Sequence, residues 1–177
     1  VARHGGAARG MDVAIRKIVP MGGGLGGGSS DAATALMVAN VLWGSGLTRE
    51  ELMALALPLG ADVPVFVFGQ SAFAEGVGEA LSPVSLPAAW YLVIHPGVAV
   101  PTAGIFSAPD LPRDTTAIDP MGWERALDRG VGANDLEQVA VGLYPEVGAA
   151  LNWLLAQPET VGRVRMTGSG ACVFAVF

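Results

Sequence analysis

The sequence of 177 residues contains one cysteine, Cys172, and one lysine, Lys17. A single thiol cannot build an internal disulfide framework, and such sparing use of cysteine fits a reducing cytoplasm. Basic residues are scarce, with 10 Lys and Arg against 16 Asp and Glu, a net charge of -6 and a pI near 4.7. That deficit argues against nucleic acid or an anionic membrane as the partner. Half of the chain is hydrophobic (51%) and the mean hydropathy is +0.48, yet no uninterrupted apolar run reaches the roughly 18 residues of a membrane helix. Residues 1–10 lack the apolar core of a signal peptide and carry no initiating Met. The two histidines, His4 and His95, have no second His or Cys at ligand spacing, which disfavours a metal centre built on them. What is left is a chain long enough for one domain or two small ones around a sizeable core.

Glycine, by contrast, is abundant, with 25 residues. Six of them fall at positions 22–28, inside Pro20-Met21-Gly22-Gly23-Gly24-Leu25-Gly26-Gly27-Gly28-Ser29-Ser30-Asp31-Ala32-Ala33. Backbone without Cβ atoms can turn tightly and bring its N–H groups close to a ligand. Ser29, Ser30 and Asp31 are N-cap candidates, and Ala32 to Ala39 is dominated by good helix formers. A glycine-rich loop opening onto a helix presents unpaired N–H donors and the positive end of the helix dipole, which together favour phosphate.

The residues sort the possible phosphate loops. A Walker A loop needs Lys and then Ser or Thr after its last glycine, and here Gly28 is followed directly by Ser29. The dinucleotide pattern G-x-G-x-x-G is met by Gly22, Gly24 and Gly27, but so dense a run meets it by chance. Its acidic partner should end a second strand about twenty residues on, whereas Glu50 and Glu51 lie in Thr48-Arg49-Glu50-Glu51, a capping box that starts a helix. The third pattern is Pro-x-Gly-x-Gly-Leu-Gly, extended by glycine and closed by Ser-Ser.

Along the chain, Met11–Val19 reads as a strand feeding the loop, with Val13, Ile15 and Val19 on one face. The following helix is expected to run to about Trp43, with Ala32, Ala35, Leu36, Ala39, Leu42 and Trp43 as its core stripe and Gly44 just past its end. A second helix starts at Thr48, buries Leu52, Leu55 and Leu59, and stops at Gly60. Residues 70–82 read as a hairpin with Gly76 and Gly78 in the bend, leaving Glu75 and Glu79 solvated. Trp90–Ile94 is expected to be a buried strand ended by the His95-Pro96-Gly97 turn, with His95 structural or at a substrate rim, and a domain boundary is placed near Pro87. Thr102–Ser107 begins a helix, Pro109–Pro120 is linker-like, and the helix after Pro145 buries Val147, Ala150, Leu151, Leu154 and Leu155. The chain ends as strand Arg163–Met166, turn Thr167-Gly168-Ser169-Gly170, and a strand in which Cys172 is an inert core thiol.

Asp62 is the residue that composition alone leaves open. It caps a short helix begun near Pro64, or it serves a site: it lies between Leu59-Gly60-Ala61 and Val63-Pro64-Val65-Phe66-Val67-Phe68, and an acid buried among such residues must be paired or put to use.

The segment Pro20–Ala33 resembles the ATP-binding motif of the GHMP kinases. The similarity continues in order through Leu59-Gly60-Ala61-Asp62-Val63-Pro64, Gly69–Glu79, His95-Pro96-Gly97, Ile105-Phe106, Asn134-Asp135-Leu136-Glu137 and Met166–Phe174, so it covers nearly the whole chain. It implies a two-domain α+β fold, with an N-terminal domain like that of a small-subunit ribosomal protein over residues 1–87 and a ferredoxin-like C-terminal domain over 88–177, each truncated. It implies ATP held by Pro20, Met21, Gly22, Gly23, Gly24, Leu25, Gly26, Gly27, Gly28, Ser29 and Ser30, with Mg²⁺ on the hydroxyl of Ser29 or Ser30. Asp62 falls where the family keeps its catalytic base, and Gly168, Ser169 and Gly170 fall in a third motif beside phosphate and acceptor. The features match best the branch that phosphorylates a cytidine-diphosphate-linked sugar alcohol on the non-mevalonate route to isoprenoids. Another small-molecule kinase of the superfamily, a nucleotide-binding fragment without transfer, and a dinucleotide-binding domain are the alternatives. The family also implies a catalytic Lys and much of a cytidine-binding surface upstream of Val1, so the chain is expected to be an internal piece of such a kinase, poorly soluble and unable to turn over alone.

Overall fold

In the computed structural model of the chain, residues 10–116, 118, 133–160 and 164–177 are described. His4, Pro120 and Arg163 lie outside them. The fold mixes helices and strands as an α+β chain and divides into two compact units, one of residues 10–18 and 26–87, the other of residues 19–25 and 88–177.

The first unit contains helices α1 (Gly27–Leu42), α2 (Arg49–Ala56) and α3 (Val63–Phe68), a 3₁₀ turn Leu57–Leu59, and the hairpin β1 (Ala72–Glu75) and β2 (Ala80–Pro83). Residues 11–18, expected as a strand, adopt no regular structure, and Ile18 is 81% exposed. A strand exists only through a ladder to a neighbour, and no described segment pairs with this one. Helix α1 begins earlier than the Ser29–Asp31 caps suggest. Gly26 is its N-cap in the left-handed region (φ 66°), so Ser29 and Ser30 fall inside the first turn and no side chain caps the helix. Its far end behaves as read, with Trp43 at the C-cap and Gly44 at φ 59° beyond it.

The buried face of α1 is Ala33 and Ala39, while Leu42 is exposed and Trp43 half-buried, which corrects the expected stripe. Small residues at the contact let α2 and α3 approach closely, and Ala33, Leu52, Ala56, Val63 and Val67 form the core. Thr48 starts α2 through a complete capping box: its Oγ1 accepts from the Glu51 N–H at 3.2 Å, and its own N–H donates to Glu51 Oε2 at 2.8 Å. Such a cap contributes about 1 kcal/mol. The helix stops at Ala56 because Pro58 cannot continue it, and Leu59, expected in the core, is 59% exposed. The guanidinium of Arg49 donates to the Phe68 carbonyl at 2.7 Å and so closes the end of α3.

The second unit contains β3 (Tyr91–Ile94), α4 (Thr102–Phe106), α5 (Asp135–Leu143), α6 (Pro145–Leu155), a 3₁₀ turn Pro158–Thr160, β4 (Val164–Met166) and β5 (Val173–Val176). The antiparallel sheet has the order β3-β5-β4, with Ile94 and Met166 both opposite Val173. Strand β5 is therefore central and β3 an edge. That position explains why Tyr91, Leu92 and Val93 stay exposed, although their apolar run reads as a buried strand. Helix α6 covers the face carrying Val173 and Ala175, and Val147, Leu151, Leu154, Val139, Val100 and Ile105 complete the core. Ala150 is half-buried and Leu155 is exposed, so the buried stripe of α6 is narrower than the sequence suggests. The buried Thr160 hydroxyl is satisfied by the carbonyls of Leu154 (2.6 Å) and Gln157 (2.8 Å). Among the described residues, no helix is long and apolar enough to cross a membrane.

Candidate functional site

In the second unit the first half of the glycine run is bound to the turn between β4 and β5. The Gly22 carbonyl accepts from the N–H of Ala171 at 2.9 Å and of Val100 at 3.3 Å, and the Gly23 carbonyl accepts from Cys172 at 3.0 Å. The Thr167 hydroxyl donates to the Gly24 carbonyl at 2.8 Å. Gly24, at φ 70°, passes so close that a Cβ there would lie 2.1 Å from the Thr167 carbonyl oxygen. The turn is itself held: the Gly170 N–H donates to Thr167 and the Thr167 N–H to Cys172, both at 3.0 Å. Ser169 is buried and shares a 2.8 Å hydrogen bond with the hydroxyl of Thr102, the first residue of α4. Gly168 is exposed and Gly170 buried. Burial pushes the Cys172 thiol up from its ordinary pKa. This cysteine precedes β5 and packs under Gly23, where a Cβ would meet its Sγ at 3.0 Å.

In the first unit the second half of the run opens α1. The N–H groups of Gly27, Gly28 and Ser29 have no hydrogen-bond acceptor among the described residues, and the first bond of the helix runs from the Ser30 N–H to the Gly26 carbonyl at 2.9 Å. These are the orphan donors of a helix N-terminus, and here no side chain competes for them. Gly26 presses on α3, where a Cβ would meet the Phe66 ring at 2.7 Å. Lys17 and Asp31 form a half-exposed ion pair at 2.5 Å, worth about 0–1 kcal/mol in such surroundings. The hydroxyls of Ser29 and Ser30 lie in this first turn, half-buried, and as oxygen donors they suit a hard cation that keeps most of its waters. Among the described residues no cluster of His, Cys, Asp and Glu offers an alternative metal centre.

Asp62 stands at the N-cap position of α3, with Pro64 in the first turn, but its carboxylate makes no capping bond and is exposed. The apolar neighbours of this acid, contrary to the expectation from sequence, do not bury it. Val63, Pro64 and Val67 turn their side chains inward from the helix, and the residue just before it remains in water. Gly78 of the hairpin bend packs against Ala61, the residue before Asp62: at φ 117°, a Cβ there would lie 2.6 Å from the Ala61 carbonyl oxygen. Glu79 accepts from the Val77 N–H at 2.7 Å within the same bend, and Glu75 is exposed. His95 is exposed, and its Nδ1 accepts from the Gly97 N–H at 3.2 Å within a local turn.

Gly22, Gly23 and Gly24 are thus brought to Gly168–Cys172 in one unit, and Gly26–Ser30 and Asp62 lie at the starts of two packed helices in the other. Pro20 and Met21 are exposed, and Leu25 is half-buried. Asn134 and Glu137, which enter the sequence analysis only as part of the family resemblance and without a role, hold the turn between β4 and β5. The Asn134 amide donates to the carbonyls of Gly168 (2.7 Å) and Met166 (3.1 Å), and the Glu137 carboxylate accepts from the Met166 N–H at 2.7 Å. The available signal was Asn134 ahead of Asp135-Leu136-Glu137, an N-cap followed by acids in a first turn, which marks the helix α5 that the sequence reading also omitted.

The GHMP kinases N terminal domain matches residues 1–70, and the GHMP kinases C terminal domain matches residues 117–177. The chain is 57% identical over 175 residues to a 4-diphosphocytidyl-2-C-methyl-D-erythritol kinase of Bordetella parapertussis, covering 99% of this chain and 58% of that protein. It is 59% identical over 168 residues to the protein of the same name from Thiobacillus denitrificans, covering 95% and 58%. A crystal structure of 4-(cytidine 5'-diphospho)-2C-methyl-D-erythritol kinase superposes with a TM-score of 0.68 at 38% identity, over 90% of this chain and 59% of the other. The chain spans less than two thirds of the length of each of these relatives.

Proposed function

The chain belongs to the GHMP kinases, and on that premise we propose that it works in the cytoplasm as an ATP-dependent small-molecule kinase, transferring phosphate to the 2-hydroxyl of 4-diphosphocytidyl-2-C-methyl-D-erythritol on the non-mevalonate route to isoprenoids. The observation that supports this best is the uncapped start of α1, where the N–H groups of Gly27, Gly28 and Ser29 have no acceptor among the described residues. Three donors at the positive end of a 16-residue helix suit phosphate oxygens.

Phosphoryl transfer asks the protein to position the nucleotide, offset its charge and orient the attacking hydroxyl. The segment Pro20–Ser30 does the first. Mg²⁺, held on the hydroxyl of Ser29 or Ser30, would supply charge neutralisation at the phosphates. Asp62, exposed to water, accepts the proton of the acceptor's 2-hydroxyl as the new phosphorus–oxygen bond forms, a role worth typically 10²–10⁴-fold. In this reading the turn Gly168-Ser169-Gly170 is assigned to the phosphate and acceptor on the family resemblance. The small-molecule acceptor is the only partner in this reading, which involves no nucleic acid and no membrane.

The test is thermal unfolding of the 177-residue chain with Mg-ATP and with NADH, followed by a phosphate-transfer assay of the chain and of Asp62→Asn. A ligand specific for the native state stabilises by about 2.7 kcal/mol at one hundred times its Kd. Stabilisation by Mg-ATP, transfer, and a loss of roughly 10²–10⁴-fold in Asp62→Asn with unchanged ATP stabilisation are expected. Stabilisation by NADH alone overturns the kinase reading, stabilisation by Mg-ATP without transfer reduces it to nucleotide binding, and full turnover in Asp62→Asn removes the base.

A further inference from the structure

The second unit contains a connection that the glycine pattern does not predict. Asn134 precedes α5, and its side chain uses both ends. Its Oδ1 accepts from the Leu136 N–H at 3.1 Å, the ordinary work of an N-cap. Its amide nitrogen turns away from the helix and donates to two carbonyls of the β4–β5 turn, Gly168 at 2.7 Å and Met166 at 3.1 Å. Glu137, three residues on, takes the Met166 N–H at 2.7 Å, so both polar groups of the Met166 backbone are held from one helix start. The next residue, Thr167, holds the Gly24 carbonyl through its hydroxyl, and Ala171 and Cys172 hold those of Gly22 and Gly23. A continuous chain of hydrogen bonds therefore runs from the start of α5, through the turn, to the glycine loop.

We propose that Asn134 is a positioning residue for the nucleotide loop: by fixing the carbonyls of Met166 and Gly168 it sets the turn whose donors in turn fix residues 22–24. Of the side chains at the start of α5, Asn alone suits both tasks. Asp keeps the oxygen that caps α5 but replaces the donor with a second acceptor, which then faces two carbonyl oxygens. Ser and Thr keep a cap but are too short to supply a second, separate donor group. The effect on ATP rests on the kinase reading above; the effect on the loop does not.

The experiment compares the chain with Asn134→Asp and Asn134→Ala by amide hydrogen exchange and by Mg-ATP titration. In Asn134→Asp, exchange at Ala171 and Cys172, whose N–H groups donate to Gly22 and Gly23, should speed up at least about tenfold, as expected when a hydrogen-bonded unit opens more often. Exchange in the β3–β5 ladder should be unchanged. Asn134→Ala should add faster exchange in the first turn of α5, because it also loses the cap. Mg-ATP affinity should fall about tenfold in both variants. Unchanged exchange at Ala171 and Cys172 in both variants overturns the proposal. Faster exchange with no ATP binding by the parent chain keeps the positioning role and removes the kinase reading instead. Faster exchange with undiminished ATP affinity overturns the link from the loop to the nucleotide.

Discussion

The two halves of one glycine run are used in opposite ways. At Gly22, Gly23 and Gly24 the carbonyl oxygens are engaged, each by a donor from the second unit, and the missing Cβ atoms make room for neighbouring backbone and for the Cys172 thiol. At Gly27, Gly28 and Ser29 the N–H groups have no acceptor among the described residues, and a Cβ on Gly28 would meet nothing within 4 Å. Gly22, Gly23, Gly24 and Gly26 need glycine for protein structure; Gly28 has no such internal need, and the nucleotide site proposed above would give its bareness a use. A glycine-rich stretch is thus not one feature, and density of glycine does not distinguish a structural clamp from a binding edge.

Gly24→Ala is the strongest way to break this comparison. The substituted residue would carry φ 70°, which costs a residue with a Cβ about 1–2 kcal/mol, and its Cβ would sit 2.1 Å from a backbone oxygen that cannot simply rotate away. Overpacking of this kind typically adds about 1–3 kcal/mol. Urea unfolding should therefore show a loss of about 2–5 kcal/mol. A variant as stable as the parent would mean that the clamp between residues 22–24 and 167–172 is not formed in solution.

Gly26 and Gly28 sharpen the contrast from the other side. Gly26→Ala meets φ 66° and the Phe66 ring, so it should lose about 1–2 kcal/mol for the backbone plus a steric part that Phe66→Leu in the same chain recovers. Gly28→Ala lies inside α1, free of contacts, and should stabilise the chain by about 0.4–1 kcal/mol through the unfolded state. Yet it places a methyl group among the open N–H donors, so the stabilisation by Mg-ATP should shrink. Opposite signs for the two measurements are the expected signature. An undiminished ATP effect would remove the start of α1 from the nucleotide site.

What could be read in advance was what short-range chemistry decides. The Thr48 capping box, Gly44 beyond α1, the bend at Gly76 and Gly78, and the final hairpin all depend on residues within a few positions of one another, and each is present. Pairing and exposure were less legible. The alternation at Val13, Ile15 and Val19 fits a strand, but a ladder needs a partner that no local pattern specifies. The run Tyr91–Ile94 reads as buried, although an edge position leaves most of it in water. For the site, the glycine run was visible as backbone that tolerates close approach, but which of its halves would bind protein was not, because Val100, Thr167, Ala171 and Cys172 are distant in sequence. Asp62 shows the same limit: apolar sequence neighbours say nothing about solvent when the helix they begin turns them inward.

The smallest effect concerns the thiol beneath the clamp. Cys172 is buried, and loss of water around it raises its pKa above the ordinary value near 8.5. The folded chain therefore holds the proton more tightly than the unfolded chain does. The associated stability is fully present below the unfolded pKa and is lost as pH rises through the folded one. The parent chain should lose stability more steeply than Cys172→Ala from about pH 8.5 upward, and the two should differ by a constant amount below about pH 8. At pH 8 the native thiol should also react with iodoacetamide more slowly than the same thiol in urea, because only the thiolate attacks. Parallel pH profiles combined with equal alkylation rates would mean that the packing of Cys172 beneath Gly23 opens readily, and with it the clamped half of the run.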